Sequence, residues 1–347
     1  MRIASVGRSL PANYYSQEAL LAALREFWGT RFHNPRRLDD LHRRVLVGGR
    51  HLALPMEDYP KLSSFDEAND VFIRDAVNLG ERAIRDALAR ANLEPRDIRH
   101  VFFVSVTGLA TPSIDARLMN RMDLRPDTKR TPIFGLGCVA GAAGVARAAD
   151  YLRAFPDEVA ILLSVELCSL TLQREDLSIQ NLIASGLFGD GAAAVVMTGR
   201  DVERLGPEVV ATRSVFYPNT EHVMGWQIGS TGFRVVLSAD VPEIARGIRK
   251  DVDDFLASEG LKLGDIDRFV CHPGGPKVLE AVQQSLDLPE SALELSWRSL
   301  QEVGNLSSAS VLMVLGDTLA RKPHPGTWGL LLGMGPGFCS ELVLLRW

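Results

Sequence analysis

Asp97-Ile98-Arg99-His100-Val101-Phe102 returns, changed but recognisable, as Asp265-Ile266-Asp267-Arg268-Phe269-Val270. In both places an acidic turn opens a short apolar run of strand character. A helical pattern follows each run and closes on a leucine-bearing turn, Met122-Asp123-Leu124 in one copy and Leu286-Asp287-Leu288 in the other. Further on, Gly137-Cys138 through Asp150-Tyr151-Leu152 aligns with Gly304-Asn305 through Asp317-Thr318-Leu319. From Ile98 to Cys138 is 40 positions, and from Ile266 to Asn305 is 39. The chain therefore reads as two copies of one α/β unit, fused and diverged. Duplication puts Cys138 and Asn305 at equivalent helix starts, where a pseudo-twofold axis brings them face to face.

The rest of the pattern fits strands alternating with helices around a buried sheet. Apolar strands are expected at 1–10, 98–106, 159–165, 192–197, 269–272, 329–332 and 340–345, with helices at 16–28, 68–92 and 113–122. The stretch 199–207 is the one plausible joint, which divides the chain into halves 1–200 and 201–347. The 347 residues are 46% hydrophobic and 23% charged, a soluble composition. A net charge of −5 speaks against general nucleic-acid binding. Cys138, Cys168, Cys271 and Cys339 are far apart, which argues against zinc or a disulfide framework and suits a reducing cytoplasm. No signal peptide and no membrane span are expected, because the apolar runs have strand length.

Chemistry concentrates at three places. After a strand running to Phe134, Gly135 and Gly137 turn the chain, and a small-residue helix starts almost at Cys138. Unpaired backbone N–H groups and the helix dipole there favour a thiolate. The plainer alternative is a small buried hydrophobe. His272 ends a strand just before Pro273-Gly274-Gly275-Pro276, at the sheet edge where α/β sites form. Nothing assembles a site around His33, His42, His51, His100, His222 or His324. A thiolate beside an imidazole is a nucleophile, and imidazolium with an amide N–H holds an oxyanion. The absence of a carboxylate from Cys138, His272 and Asn305 suits stabilisation of an enolate, such as the one formed by decarboxylating a malonyl thioester. The segment 34–44 followed by Gly48-Gly49-Arg50 is either a solvated helix face, with Asp40 and Arg44 paired at i,i+4, or a phosphate landing site. Gly135-Leu136-Gly137-Cys138-Val139-Ala140 also fits G-x-G-x-x-A, with Asp157 about 20 residues on. A dinucleotide site is disfavoured because that motif belongs in a first βαβ unit.

At these residues the chain resembles the type III polyketide synthases, chalcone synthase-like enzymes of the thiolase superfamily. The likeness is strongest at 104–197 and from Phe269 onward. Gly137-Cys138-Val139-Ala140-Gly141 is similar to the family's nucleophile motif, and His272 and Gly304-Asn305 to its other two catalytic positions. Phe188, in Leu187-Phe188-Gly189-Asp190-Gly191-Ala192-Ala193, resembles the phenylalanine that shields the cavity mouth and assists decarboxylation. Gly333-Met334-Gly335-Pro336-Gly337-Phe338 is similar to the glycine-rich loop that shapes the cavity.

The resemblance implies a duplicated five-layered αβαβα thiolase fold, a cytoplasmic homodimer, and coenzyme A thioesters as substrates, with no metal or organic cofactor. Cys138 would take an acyl-CoA starter, and malonyl-CoA would extend it by repeated decarboxylative condensation before the poly-β-ketone cyclises. Arg37 and Arg44 resemble positions that meet coenzyme A, although Asp40 falls where a third cation is usual, and Arg50 joins them as an expected phosphate contact from the basic segment. Val106, Thr107, Cys168, Thr171, Trp226, Val235 and Gly335 would line the cavity. Val106 and Cys168 depart from plant threonines, and Thr111 replaces the methionine that plant members insert into the partner's cavity. A coumaroyl starter is not expected. The apolar, small or sulfur-bearing wall tips the reading toward a fatty-acyl starter over a malonyl one, with pyrone, resorcinol or naphthalene-type products open. The nearest rival is a single-condensation β-ketoacyl-ACP synthase III-like enzyme. A thiolase would need a second catalytic cysteine, and a papain-type peptidase would not show this duplication. A non-catalytic thiolase-fold binding protein would be expected to lose one of the three residues.

Overall fold

The computed structural model describes residues 1–31 and 35–347; His33 and Asn34 lie outside the described residues. Strand β1 (Arg2–Ser9) opens the chain, and β2 (Asn13–Ser16) and β3 (Gly49–Leu52) pair around helices α1 (Gln17–Trp28) and α2 (Pro35–Arg44). There follow α3 (Phe65–Ala91), β4 (Ile98–Val104), α4 (Ile114–Arg121), β5 (Lys129–Ile133), α5 (Ala140–Ala154), β6 (Val159–Leu167), α6 (Ile179–Leu187) and β7 (Asp190–Thr198). The second half holds β8 (Glu208–Phe216), the hairpin β9 (Met224–Gly229) and β10 (Gly232–Leu237), α7 (Val241–Ala245) and α8 (Ile248–Ser258). It continues with β11 (Arg268–Cys271), α9 (Pro276–Ser285), α10 (Glu294–Val303), α11 (Ser308–Ala320), β12 (Trp328–Gly335) and β13 (Cys339–Arg346).

The main strands run in the order β11-β12-β13-β8-β1-β7-β6-β4-β5. This order is two similar sheets meeting at the pair Arg2 and Glu208. β4 lies parallel to β6, β6 antiparallel to β7, and β7 antiparallel to β1. In the same way β11 lies parallel to β12, β12 antiparallel to β13, and β13 antiparallel to β8. The repeat extends to single bonds. Asp97 Oδ2 accepts from Glu94 N, and Asp265 Oδ2 from Lys262 N, both at 2.8 Å. Asp123 and Asp287, in the two leucine turns, have φ of 53° and 52°. The first sheet carries one further edge strand, β5.

Because alternate strand residues face opposite ways, each sheet buries two faces. Ile161, Leu163 and Val165 pack with α3 and α4, while Ala160 and Leu162 face α5 and α11. In the second sheet Leu331 and Val343 face the same two helices, and Leu330, Leu332, Leu342 and Leu344 face α8, α9 and α10. The layers are helix, sheet, helix, sheet, helix. The small residues of α5 are what let the middle layer close. A Cβ on Gly141 would meet Ser308 O of α11 at 2.2 Å, and one on Gly144 would meet Leu162 at 2.4 Å. On α2 the expected Asp40–Arg44 pair is replaced by Asp40 with Arg43, one residue closer in sequence, at 3.6 Å. Among the described residues no helix is long and apolar enough to cross a membrane.

Candidate active site

Gly135 and Gly137 reverse the chain after β5 with φ of 99° and 58°. A Cβ on Gly137 would meet Pro336 at 2.5 Å, and one on Gly335 would meet Leu136 O and Val139 N at 2.8 Å. The turn before Cys138 and the loop after β12 therefore interlock with no room for side chains. Gly335 serves this packing and does not line the cavity; its neighbours Met334 and Pro336 do. Positive φ and close packing therefore account for the glycines of this turn without a phosphate.

Cys138 lies half-buried in a short 3-10 turn leading into α5. Its thiol donates to Ser307 Oγ at 3.6 Å. His272 follows β11, its backbone N donating to Leu332 O at 2.9 Å. Both of its ring nitrogens are buried and have no hydrogen-bond partner among the described residues. Asn305 is fixed on both sides. Its backbone N donates to Leu187 O at 2.9 Å, and its carbonyl accepts from Gly189 N at 3.0 Å, so that Phe188 and Asn305 form an isolated parallel bridge. Its Nδ2 donates to Gly274 O at 3.1 Å, and its Oδ1 accepts from Ser307 N at 2.8 Å. Cys138, His272, Asn305 and Phe188 line one cavity of about 490 Å³. The charged groups at its walls are Arg44 and Lys277, with no carboxylate among the described residues.

Burial governs the electrostatics. It pushes the Cys138 thiol up to about 11, with the Glu166 charge adding, against hydrogen bonds from Ser307 and Asn305. It pushes His272 down to about 4. The helix start therefore does not by itself yield the low thiol pKa expected from the sequence. Either charge alone is penalised here, and a thiolate is tolerable only together with an imidazolium beside it. His272 and Asn305 line the same cavity as Cys138, so an imidazolium and an amide N–H are both at hand there, a donor set suited to stabilising an enolate.

Four of the expected wall residues, Val106, Cys168, Trp226 and Val235, line the cavity with Cys138. Thr107 and Thr171 do not. They line an adjoining cavity of about 1050 Å³, and their hydroxyls donate to Glu166 Oε2 and to Cys168 O at 2.8 Å. Trp226 and Val235 are directly paired across β9 and β10 and, with Phe188, border both cavities. Arg44 is exposed at the mouth and Arg37 is exposed on α2.

Arg50 corrects the sequence reading: it is 3% exposed, and its Nη1 donates to Phe188 O at 2.7 Å, so it is no surface phosphate contact. Three residues at the site escaped the sequence. Ser307 and Lys277 carried no signal. Glu166 did carry one, a carboxylate inside the apolar run 159–167, and it lies fully buried, accepting from Val106 N at 3.1 Å and from Thr107 and Ser308 hydroxyls.

The model of the chalcone and stilbene synthase N-terminal domain matches residues 2–201, and that of the C-terminal domain matches residues 208–347. The chain belongs to this family. It is a type III polyketide synthase with a thiolase-like fold. It is 52% identical to the 1,3,6,8-tetrahydroxynaphthalene synthase of Streptomyces peucetius subsp. caesius, over 99% of this chain and 93% of the relative. It is 34% identical to the phloroglucinol synthase of Pseudomonas fluorescens, over 87% of this chain and 86% of the relative. The crystal structure of the tetrahydroxynaphthalene synthase of Streptomyces coelicolor superposes with a TM-score of 0.96 at 32% identity, covering 100% of this chain and 99% of that one. The synthase is thus a transferase catalysing decarboxylative condensation.

Proposed function

We propose that this synthase primes itself with malonyl-CoA and builds a pentaketide that closes to 1,3,6,8-tetrahydroxynaphthalene. The observation that carries the reading is the 52% identity to a synthase of that product across nearly the whole of both chains. A naphthalene bears ten ring carbons and this one has no alkyl branch, so it divides into five two-carbon units without a distinct starter. That outweighs the fatty-acyl starter suggested by the apolar wall. Cys138 carries the growing chain. His272 and Asn305 hold the thioester carbonyl of each incoming malonyl-CoA while carbon dioxide leaves, and Phe188 keeps water from the enolate. The coenzyme A phosphates rest outside the mouth near Arg37, Arg44 and Lys277.

The nucleophile belongs to the half 1–200, and His272 and Asn305 to 201–347. The protein acts as a homodimer in the cytoplasm. Support for a dimer comes from edge strand β5 and from Phe134 and Leu109, apolar residues left 48% and 41% exposed. A sedimentation measurement giving only monomer would remove that part.

The deciding test supplies malonyl-CoA alone and follows intact protein and released product by mass spectrometry. Acyl mass on the wild type, none on Cys138→Ala, and release of a ten-carbon tetrahydroxylated aromatic are expected. A product with one extension, or turnover only with an acyl carrier protein, would return the protein to the β-ketoacyl-ACP synthase III-like reading.

A further inference from the structure

Arg50 is a buried cation without an ion-pair partner among the described residues. Its Nη1 serves Phe188 O, and its Nε is buried with nothing to donate to. Burial lowers it only to about 10, so it stays charged at neutral pH. The carboxylate that favours its charge most is Asp190, which already accepts from Ala53 N at 2.7 Å, Ser169 N at 2.8 Å and Ser169 Oγ. A buried charge left this way is costly unless something completes it. The side chain cannot swing off easily. Its stem lies 3.1 Å from where a Gly304 Cβ would be and 3.4 Å from that of Gly189.

Arg50 lines the cavity of about 1050 Å³ that adjoins the one holding Cys138. The two share Phe188, Trp226 and Val235 as walls. A chain growing from Cys138 past those three side chains therefore enters a space where, among the described residues, Arg50 is the fully buried cation, the other charged walls (Arg174, Arg234, Glu26, Glu57, Glu175 and Asp176) being more exposed. A malonyl primer differs from an alkanoyl primer in one respect: it leaves a carboxylate on the end of the chain farthest from the thioester. We propose that Arg50 is a carboxylate site that holds the distal carboxylate of the malonyl-primed chain. This inference rests on malonyl priming. Guanidinium suits the task because its fork matches a carboxylate. By carbon count, five malonyl units enter with fifteen carbons and ten remain. Four carboxyl groups leave as carbon dioxide in the condensations, and the fifth is the one Arg50 would hold until it too departs.

The test compares malonyl-CoA alone with malonyl-CoA plus acetyl-CoA or hexanoyl-CoA, in wild type, R50M, R50Q and R50K. Products are sorted by primer mass, and loading on Cys138 is read on the intact protein. The expected result is a fall of about tenfold or more in the ratio of malonyl-primed to alkanoyl-primed product in R50M and R50Q, with only partial recovery in R50K, which keeps the charge without the fork. Using a ratio cancels any general loss from disturbing Phe188. If both kinds of product fall together in R50M and R50Q, Arg50 only positions Phe188 and the proposal is overturned; an unchanged ratio overturns it equally. A wild type that makes no product from malonyl-CoA alone would instead reject the priming itself. Thermal unfolding identifies a variant that fails to fold, and the remaining variants then carry the comparison.

Discussion

Burial disfavours the charged form of both Cys138 and His272. It holds the thiol near 11 and the imidazole near 4, and neither ring nitrogen of His272 has a hydrogen-bond partner among the described residues. Raising a thiol's pKa removes thiolate at neutral pH, so the imidazole must take the proton if Cys138 is to react. The expectation concerns alkylation of Cys138 by iodoacetamide as a function of pH. In the wild type the rate should level off at a lower pH than in His272→Gln, where it should still be climbing at pH 9 toward the buried-thiol value. Identical profiles would mean that the helix start and Ser307 activate the thiol without the histidine. This is a residue-level property: the sequence pointed to both residues but to a lowered thiol pKa, the opposite of the direction burial imposes. Position at a helix start lowers a thiol pKa; depth of burial raises it, and depth is set by chain segments from both halves.

At the scale of elements, the site depends on how closely α5 and α11 cross. Gly141 lies three residues after Cys138, and Ser308, whose carbonyl it approaches, lies three after Asn305. That contact sets the separation of the nucleophile from the amide. Gly141→Ala must push backbone away from backbone, since the 2.2 Å clash is with a carbonyl and not with a flexible side chain. Overpacking of this kind costs about 1–3 kcal/mol. We expect a lower denaturation midpoint and a loss of kcat larger than any change in KM, measured by urea unfolding and malonyl-CoA turnover. Wild-type kcat in a folded Gly141→Ala protein would show that the crossing has slack. The glycine and alanine run already pointed to a close approach; which helix comes near is a tertiary fact.

At the scale of the whole molecule, one buried cluster joins the two halves. Ala142, Val145 and Ala149 of α5 share it with Val311, Leu312 and Leu315 of α11 and with strand residues from both sheets. Separating the halves would expose that face on each. The full chain should therefore unfold in urea in a single transition, the same by tryptophan fluorescence and by circular dichroism. A separately produced 208–347 should show no cooperative transition. Two resolved transitions in the intact chain, or a cooperative isolated half, would establish the halves as independent units.

The amino-acid sequence determined the duplicated α/β unit and the identity of the three converging residues, because hydrophobic period, glycine turns and the repeat are local features written along the chain, while the five layers were implied by the family resemblance. Cys138 and Asn305 could be paired by register alone, and His272 by its strand end. The tertiary structure decided what distance and burial control. It withdrew Arg50 from the surface and left it behind Phe188. It moved Thr107 and Thr171 to a second cavity, and gave Gly335 to backbone packing. It brought Glu166 and Ser307 to the site from segments far apart in sequence. Each of these depends on which segments meet in space, and no run of neighbouring residues records that.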